Sequence, residues 1–173
     1  MAYREADPVR RARFKEGLAA IARENVVFVD ETGFNEFYSR ESAYSKAGTP
    51  VYGEKPGRRY GRTNLVAGYF KGRLVAKMLY NSSTRSRLFE DWFENLLLPG
   101  IPRKSFIVLD NATFHRKKAL RKLARKRKCR LLFLPPYSPD LNDIEKQWAN
   151  RKRKLRKNIQ FHPTFFNALL FNL

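Results

Sequence analysis

The chain has 173 residues, enough for one domain, and its 36 Lys and Arg against 16 Asp and Glu leave a formal net charge of +20. A surface this basic repels itself unless a polyanion lies against it, so nucleic acid is the expected partner. Leu, Val, Ile and Phe make up 46 residues, more than the ~20% that marks disordered chains; the single cysteine, Cys129, excludes an internal disulfide framework and a Cys-rich zinc site, and no apolar run approaches the ~18 residues of a membrane span.

The first thirteen residues are polar and hold no signal-peptide core, so a soluble, intracellular protein is expected. Residues 9–24 place Phe14, Leu18, Ile21 and Ala22 on one helical face. VVFVD (26–30) is a short apolar run whose β-branched residues predict a buried strand. Residues 45–63 are rich in Gly, Pro and Arg and predict a loop or an exposed hairpin. NLVAGYF (64–70) and RLVAKMLY (73–80) flank Lys71-Gly72, the pattern of a hairpin with a two-residue turn. Residues 84–98 predict a helix with Thr84 or Ser86 near its cap, ended by Pro99-Gly100. SFIVLD (105–110) predicts a second buried strand running into an aspartate, and 115–128 a strongly basic helix. RLLFL (130–134) predicts a third buried strand, stopped by Pro135-Pro136, and 143–157 a further helix. Mixed hairpin and strand–helix–strand connections imply an α/β sheet with helices on its faces. The stretch 158–173 carries no Lys, Arg, Asp or Glu, and so apolar a segment has to pack on something.

Two of these buried strands end in acid, at Asp30 and Asp110, and Glu145 lies in the first turn of the helix after LPPYSPDLND. Neighbouring strand ends lie side by side, and a helix crossing that edge can present Glu145 to both aspartates. Three crowded carboxylates repel one another unless cations lie between them, and hard divalent ions such as Mg²⁺ suit oxygen ligands. Two such ions would activate an attacking oxygen and stabilise a leaving one in phosphodiester displacement. Plainer roles also fit. Asp110-Asn111 has the position of a cap for the basic helix, Asn142 to Glu145 has capping-box spacing, and Asp30 would end a strand in an ordinary turn.

VFVDETGF, LDNATFH and LPPYSPDLNDIEKQW resemble, in order, the three catalytic blocks of DDE transposases of the mariner superfamily. The stretch GTPVYGEKPGRRYGRTNLVAGY is similar to the bacterial insertion-sequence branch, the "six-thirty" group. The 34 residues between Asp110 and Glu145 match members whose third acid is glutamate. The resemblance covers roughly residues 5–157. It implies a ribonuclease-H-like mixed sheet with helices on both faces: a lead-in at 1–25, a catalytic domain at 26–157 and an apolar tail at 158–173. It also implies that Asp30, Asp110 and Glu145 are the catalytic metal ligands for two Mg²⁺ ions, with Mn²⁺ as substitute. Asn111 and His115 match the motif around the second acid, where they shape the site or touch DNA. Glu31 is read either as a supporting acid beside the metal ligands or as a salt-bridge residue. Two departures stand out. Asp143 replaces a common proline and adds charge near the site, and only about 25 residues precede the first strand, too few for the helix-turn-helix modules that bind transposon ends. Relatives often place that module in an upstream reading frame.

From Arg116 to Lys157 there are 17 Lys and Arg, including the run RKRKLRK at 151–157. Arg116, Lys117, Arg151 and Lys152 are read as phosphate contacts, and Arg58, Arg59 and Arg62 as a DNA clamp in the Gly-rich loop. A solvated surface of mixed charge is the plain alternative for these runs. The resulting expectation is a transposase catalytic domain that cleaves double-stranded DNA at transposon ends and transfers the 3′-hydroxyl into target DNA. The expected setting is a homodimer in a prokaryotic cytoplasm, on the nucleoid, with no membrane partner. The competing readings are another ribonuclease-H-like nuclease, and a non-catalytic or decayed DNA-binding derivative.

Overall fold

The run VVFVD opens β1 (Val26–Asn35) in the computed structural model, which describes residues 3–36, 45–50, 52 and 61–173. β1 is twice as long as the apolar run because its far half pairs antiparallel with β2 (Arg62–Phe70), from Phe28 opposite Tyr69 to Asn35 opposite Arg62. β2 turns into β3 (Arg73–Tyr80) through Lys71 and Gly72, whose φ angles of 47° and 83° are the left-handed pair that a tight two-residue hairpin requires. On its other side β1 pairs in parallel with β4 (Phe106–Leu109), which pairs in parallel with β5 (Arg130–Phe133). The sheet order is β3-β2-β1-β4-β5, a mixed five-stranded sheet with β1 at its centre.

Alternation along β1 divides the core. Val27 and Val29 point to one face, where they pack with α2 (Ser86–Trp92), a π-helical turn (Phe93–Leu97), α3 (Leu98–Gly100) and α4 (Lys117–Lys126). Val26 and Phe28 point to the other, against α5 (Ile144–Asn158) and α6 (Phe165–Phe171), with α1 (Pro8–Ala19) packed alongside. Helices therefore cover both faces, as expected. The first face packs so closely that a Cβ at Gly68 would lie 2.8 Å from Leu97. A register shift between Val66 and Gly68 leaves Ala76 at φ 51°, and its carbonyl accepts a 2.7 Å hydrogen bond from Trp92 Nε1.

Several boundaries differ from the sequence reading for local physical reasons. α1 starts at Pro8 because Asp7 accepts from the amides of Val9 and Arg10, and it ends before Ala22, which is exposed. Phe14, Leu18 and Ile21 do pack against the α5 side of the core. Neither Thr84 nor Ser86 caps α2. Arg85 takes that position without a side-chain bond, because the Thr84 hydroxyl is committed to Glu31. Arg62 belongs to β2 rather than to a loop, since pairing with Asn35 extends the ladder to it. The charge-free stretch folds as α6, burying Ala168 and Leu169, while Phe161 and Phe171 stay 74% and 70% exposed. No helix among the described residues is long and apolar enough to cross a membrane.

Candidate functional site

Asp30 lies inside β1, not at its end, because antiparallel pairing to β2 continues past the point where β4 stops. Continuing the parallel register from Phe28 opposite Val108 puts Asp30 beside Asp110, the residue after β4. Asp30 shares its face of the sheet with Phe28, toward α5. There its Oδ2 accepts a 2.9 Å hydrogen bond from Trp148 Nε1, one turn beyond Glu145 on the same helix. The Asp110 carboxylate accepts from the Ala112 amide at 3.0 Å and lies 3.2 Å from His115 Nδ1. Asp110 and Asn111 do not cap the basic helix; Arg116 stands at its N-cap, with no side-chain bond. The capping box does not form either. Asn142 instead donates to the Val29 carbonyl at 3.3 Å, tying the start of α5 to β1 one residue before Asp30. Asp143, the departure from the family pattern, pairs with Arg23 at 2.5 Å.

The three acids share one electrostatic field. Burial, reinforced by Glu145 and by Asp110, pushes Asp30 up to about 7. Burial raises Glu145 as well; Lys152 opposes this and Asp110 adds to it. Burial also acts to raise Asp110, but the hydrogen bonds from His115 and the Ala112 amide overcome it and hold the carboxyl below its ordinary value. Among the described residues no three His, Cys, Asp or Glu side chains close into a cluster of metal-ligating spacing. The donor chemistry nevertheless fits a hard divalent cation: the three acids offer carboxylate oxygens, and Asp30, raised first by burial and then by Glu145, gains from a nearby positive charge.

The remaining predicted residues separate sharply. Arg58 and Arg59 lie outside the described residues. Lys152 is half-buried on α5, within electrostatic reach of Glu145, Asp30, Arg62 and Arg156. Arg62 also donates to Asn64 Oδ1 at 3.0 Å. Asn111 donates to the Leu134 carbonyl and accepts from Lys117 Nζ at 2.5 Å, and Lys117 lies over the Phe133 ring. Arg116 forks onto both carboxylate oxygens of Glu90. Two predicted DNA contacts are turned inward. His115 is 8% exposed, 4.3 Å from the ring of Phe89 and 4.4 Å from that of Phe114. Arg151 donates to the carbonyls of Asn172 and Leu173 at 2.6 and 2.9 Å, because α6 folds back on it and leaves those carbonyls unpaired. Trp148 and Asn142 carry roles that sequence reasoning missed. Trp148 stands three residues after Glu145, a helical spacing that hinted at a shared face; nothing in the chain signals the bond from Asn142 to Val29.

Comparison with known proteins gives a family and a fold. A family model described as DDE superfamily endonuclease matches residues 25–164. The chain is 30% identical over 142 residues to the Transposable element Tcb2 transposase of Caenorhabditis briggsae, covering 76% of this chain and 52% of that protein. It thus spans about half the length of the curated relative it matches. The fold is similar to that of the Mos1 transposase paired-end complex with left transposon end, at a TM-score of 0.70 and 18% identity, over 90% of this chain and 51% of the other. A Mos1 mariner paired end complex with Mn gives a TM-score of 0.69 at 16% identity, over 87% and 50% of the two chains.

Proposed function

The chain belongs to the DDE superfamily endonucleases, and from that premise we propose that it is the catalytic part of a transposase. In this reading it cleaves double-stranded DNA at transposon ends and joins the freed 3′-hydroxyl to target DNA, without a covalent protein intermediate. The observation that carries the proposal is the placement of the three acids: Asp30 in β1, Asp110 just past the neighbouring β4, and Glu145 in the first turn of α5, whose Trp148 bonds Asp30.

Asp30, Asp110 and Glu145 would hold two divalent ions, Mg²⁺ with Mn²⁺ as substitute. Bound there, such ions supply the positive charge that acidifies a water and stabilises a leaving oxygen. The chain's own residues prepare the site. Trp148 occupies one oxygen of Asp30 and fixes the carboxylate's rotation. The Ala112 amide and His115 do the same for Asp110. Asn142 anchors the first turn of α5, and so Glu145, against β1. Lys152, beside Glu145 and Asp30, and Arg62, within electrostatic reach of Lys152, offer cationic charge to the phosphates flanking the cleaved bond. On α4 the cations divide. Arg116 pairs with Glu90, and Lys126 with Glu94 at 2.6 Å, leaving the opposite side of that helix to face DNA.

The reading extends further on the sequence blocks. GTPVYGEKPGRRYGRTNLVAGY supports membership of the bacterial insertion-sequence branch, with 26–157 as catalytic domain, 1–25 as lead-in and 158–173 as tail. That placement brings a prokaryotic cytoplasm, action on the nucleoid, a homodimer on paired ends and a helix-turn-helix module from an upstream frame. The ion pair between Asp143 and Arg23 supports a catalytic chain over a decayed one, because it neutralises the departure from the family pattern. The experiment is nicking of supercoiled plasmid with Mn²⁺ by the wild-type chain and by Glu145→Gln. Nicking by the wild type alone is expected, with DNA affinity retained in the variant. Equal nicking by both overturns the assignment.

A further inference from the structure

Glu145 is delivered by a turn, and that turn is held from outside the sheet. Between β5 and α5 the chain passes through Tyr137 at φ 54°, the left-handed region that non-glycine residues seldom adopt, and then through a 3₁₀ turn at Pro139–Leu141. Such a backbone persists only where its surroundings hold it. Two hydrogen bonds carry the turn's position into α5. The Asn142 amide donates to the Pro139 carbonyl at 2.9 Å, and the Glu145 amide donates to the Asn142 carbonyl at 3.1 Å. α1 and the residues flanking it meet this segment in matching order: the Tyr3 ring lies 6.2 Å from that of Tyr137, Arg11 bonds Asp140, and Arg23 bonds Asp143. Apolar packing between the two segments is incomplete, because a cavity of about 410 Å³ lies between them, lined by Leu18, Ile21, Phe28 and Leu141 among others. Polar contact therefore has to set their spacing.

We propose that Arg11 is a positioning residue for Glu145: through Asp140 it clamps the 3₁₀ turn ahead of α5, so that α1 sets where the third acid stands. Arg11 donates from Nη1 to Asp140 Oδ1 at 2.9 Å and from Nη2 to Oδ2 at 2.6 Å. A guanidinium fork of this kind fixes rotation as well as distance. The Arg11 side chain is only 13% exposed, whereas Arg23 is 84% exposed and reaches Asp143 through Nη2 alone. Of the two ion pairs, the Arg11 fork is therefore the one that holds the turn. Asn142 holds the same segment from β1, and neither anchor touches the reacting atoms. The matched family model begins at residue 25, so the clamp ties that domain to a helix outside it. The inference rests on the reading of Glu145 as a metal ligand.

Two variants of the full chain test the clamp. Arg11→Gln removes both the fork and its charge; Arg11→Lys keeps the charge and cannot fork. Without metal, hydrogen exchange at the amides of Leu141, Asn142 and Glu145 is expected to quicken severalfold in both, while the amides of β1 and β4 keep their wild-type rates. Mn²⁺ affinity, read by isothermal titration, is expected to fall ~10-fold, the lower end of what the loss of a supporting partner costs. Leu18→Ala trims the apolar packing of α1 and leaves the fork in place; it is expected to lower Tm and to leave Mn²⁺ affinity unchanged. Wild-type exchange at those three amides overturns the clamp, and so does a Leu18→Ala chain that loses as much Mn²⁺ affinity as Arg11→Gln. Faster exchange with wild-type Mn²⁺ affinity overturns the positioning of Glu145. Should Arg11→Gln fail to fold, Arg11→Lys decides by the same two readings. Failure of the metal reading looks different: the wild-type chain itself then binds no Mn²⁺, and the role of Arg11 falls with it whatever the exchange shows.

Discussion

Asp30 and Glu31 are adjacent in one strand, yet they occupy opposite electrical worlds. Both are raised, and burial is the leading cause for each. Glu31 meets two hydroxyls and the charge of His115, which favour its charged form, against one carboxylate, Asp110. Asp30 meets one indole N–H, the Glu31 amide and two further carboxylates. Burial alone therefore does not tell the two acids apart. The balance of neighbours does: the charged form of Glu31 is favoured mainly by hydroxyl dipoles, while Asp30 faces two like charges, the setting in which the proposed cations would act.

The largest expected effect comes from removing that imbalance. Asp30→Asn should abolish Mn²⁺-dependent cleavage and at the same time stabilise the metal-free chain. The direction follows from proton linkage. The folded state holds the Asp30 proton up to about 7, against 3.8 for the free side chain. Between those values the native state binds more protons than the unfolded one, so stability falls as pH rises through that window. The raised Glu145 and Glu31 push the same way, and the lowered Asp110 opposes them. Urea titrations across that range should show the decline in the wild type and a flatter profile in the variant, on the order of 2 kcal/mol apart near neutrality after solvent screening. A variant with the wild-type slope would mean that Asp30 ionises freely, and its contrast with Glu31 would collapse.

A smaller effect tests the side-chain dipole that reaches Asp30. Trp148→Phe keeps an aromatic ring in the buried position and removes the N–H that reaches Oδ2. Mn²⁺ affinity should fall ~10-fold with the fold intact, since the carboxylate is then free to rotate. Isothermal titration with Mn²⁺ reads this directly. Unchanged affinity would mean that the indole serves packing alone.

Much of this arrangement was legible in the sequence, and the exceptions have a common cause. The three acids proposed as metal ligands stood out by local context: apolar strands running into Asp30 and Asp110, and a Pro-rich turn before Glu145. The β2–β3 hairpin was equally plain, because Lys71-Gly72 suits the left-handed conformations it adopts. What escaped were contacts closed by tertiary structure. Trp148 reaches Asp30 across 118 positions of sequence, and Asn142 reaches Val29 across 113. No local pattern encodes such pairs. The same applies to charge. Arg151 and Lys152 are neighbours in one basic run, but α6 folds back on Arg151 and turns it into a helix cap, while Lys152 faces the acids. Identity predicted cations there; only packing decided which of them faces the acids.

The smallest expected effect concerns a fourth carboxylate near the site. Asp143 precedes α5, two residues before Glu145, and its charge is met by Arg23 at 2.5 Å and by Lys146 at 3.7 Å. It therefore resembles Glu31 in being answered by partners, and Asp30 in its place beside the site. Arg23 is 84% exposed, so the pair is screened by water, and Arg23→Ala should cost no more than ~1 kcal/mol of stability. The informative measurement is the salt dependence of Mn²⁺ affinity in that variant. An answered acid leaves the affinity within about twofold of wild type at low salt, as Lys146 still faces Asp143. If the affinity rises severalfold at low salt and the gain fades as salt is added, then Asp143 is reaching the metal site through solvent, and the surface pair had been keeping a fourth negative charge away from the other three.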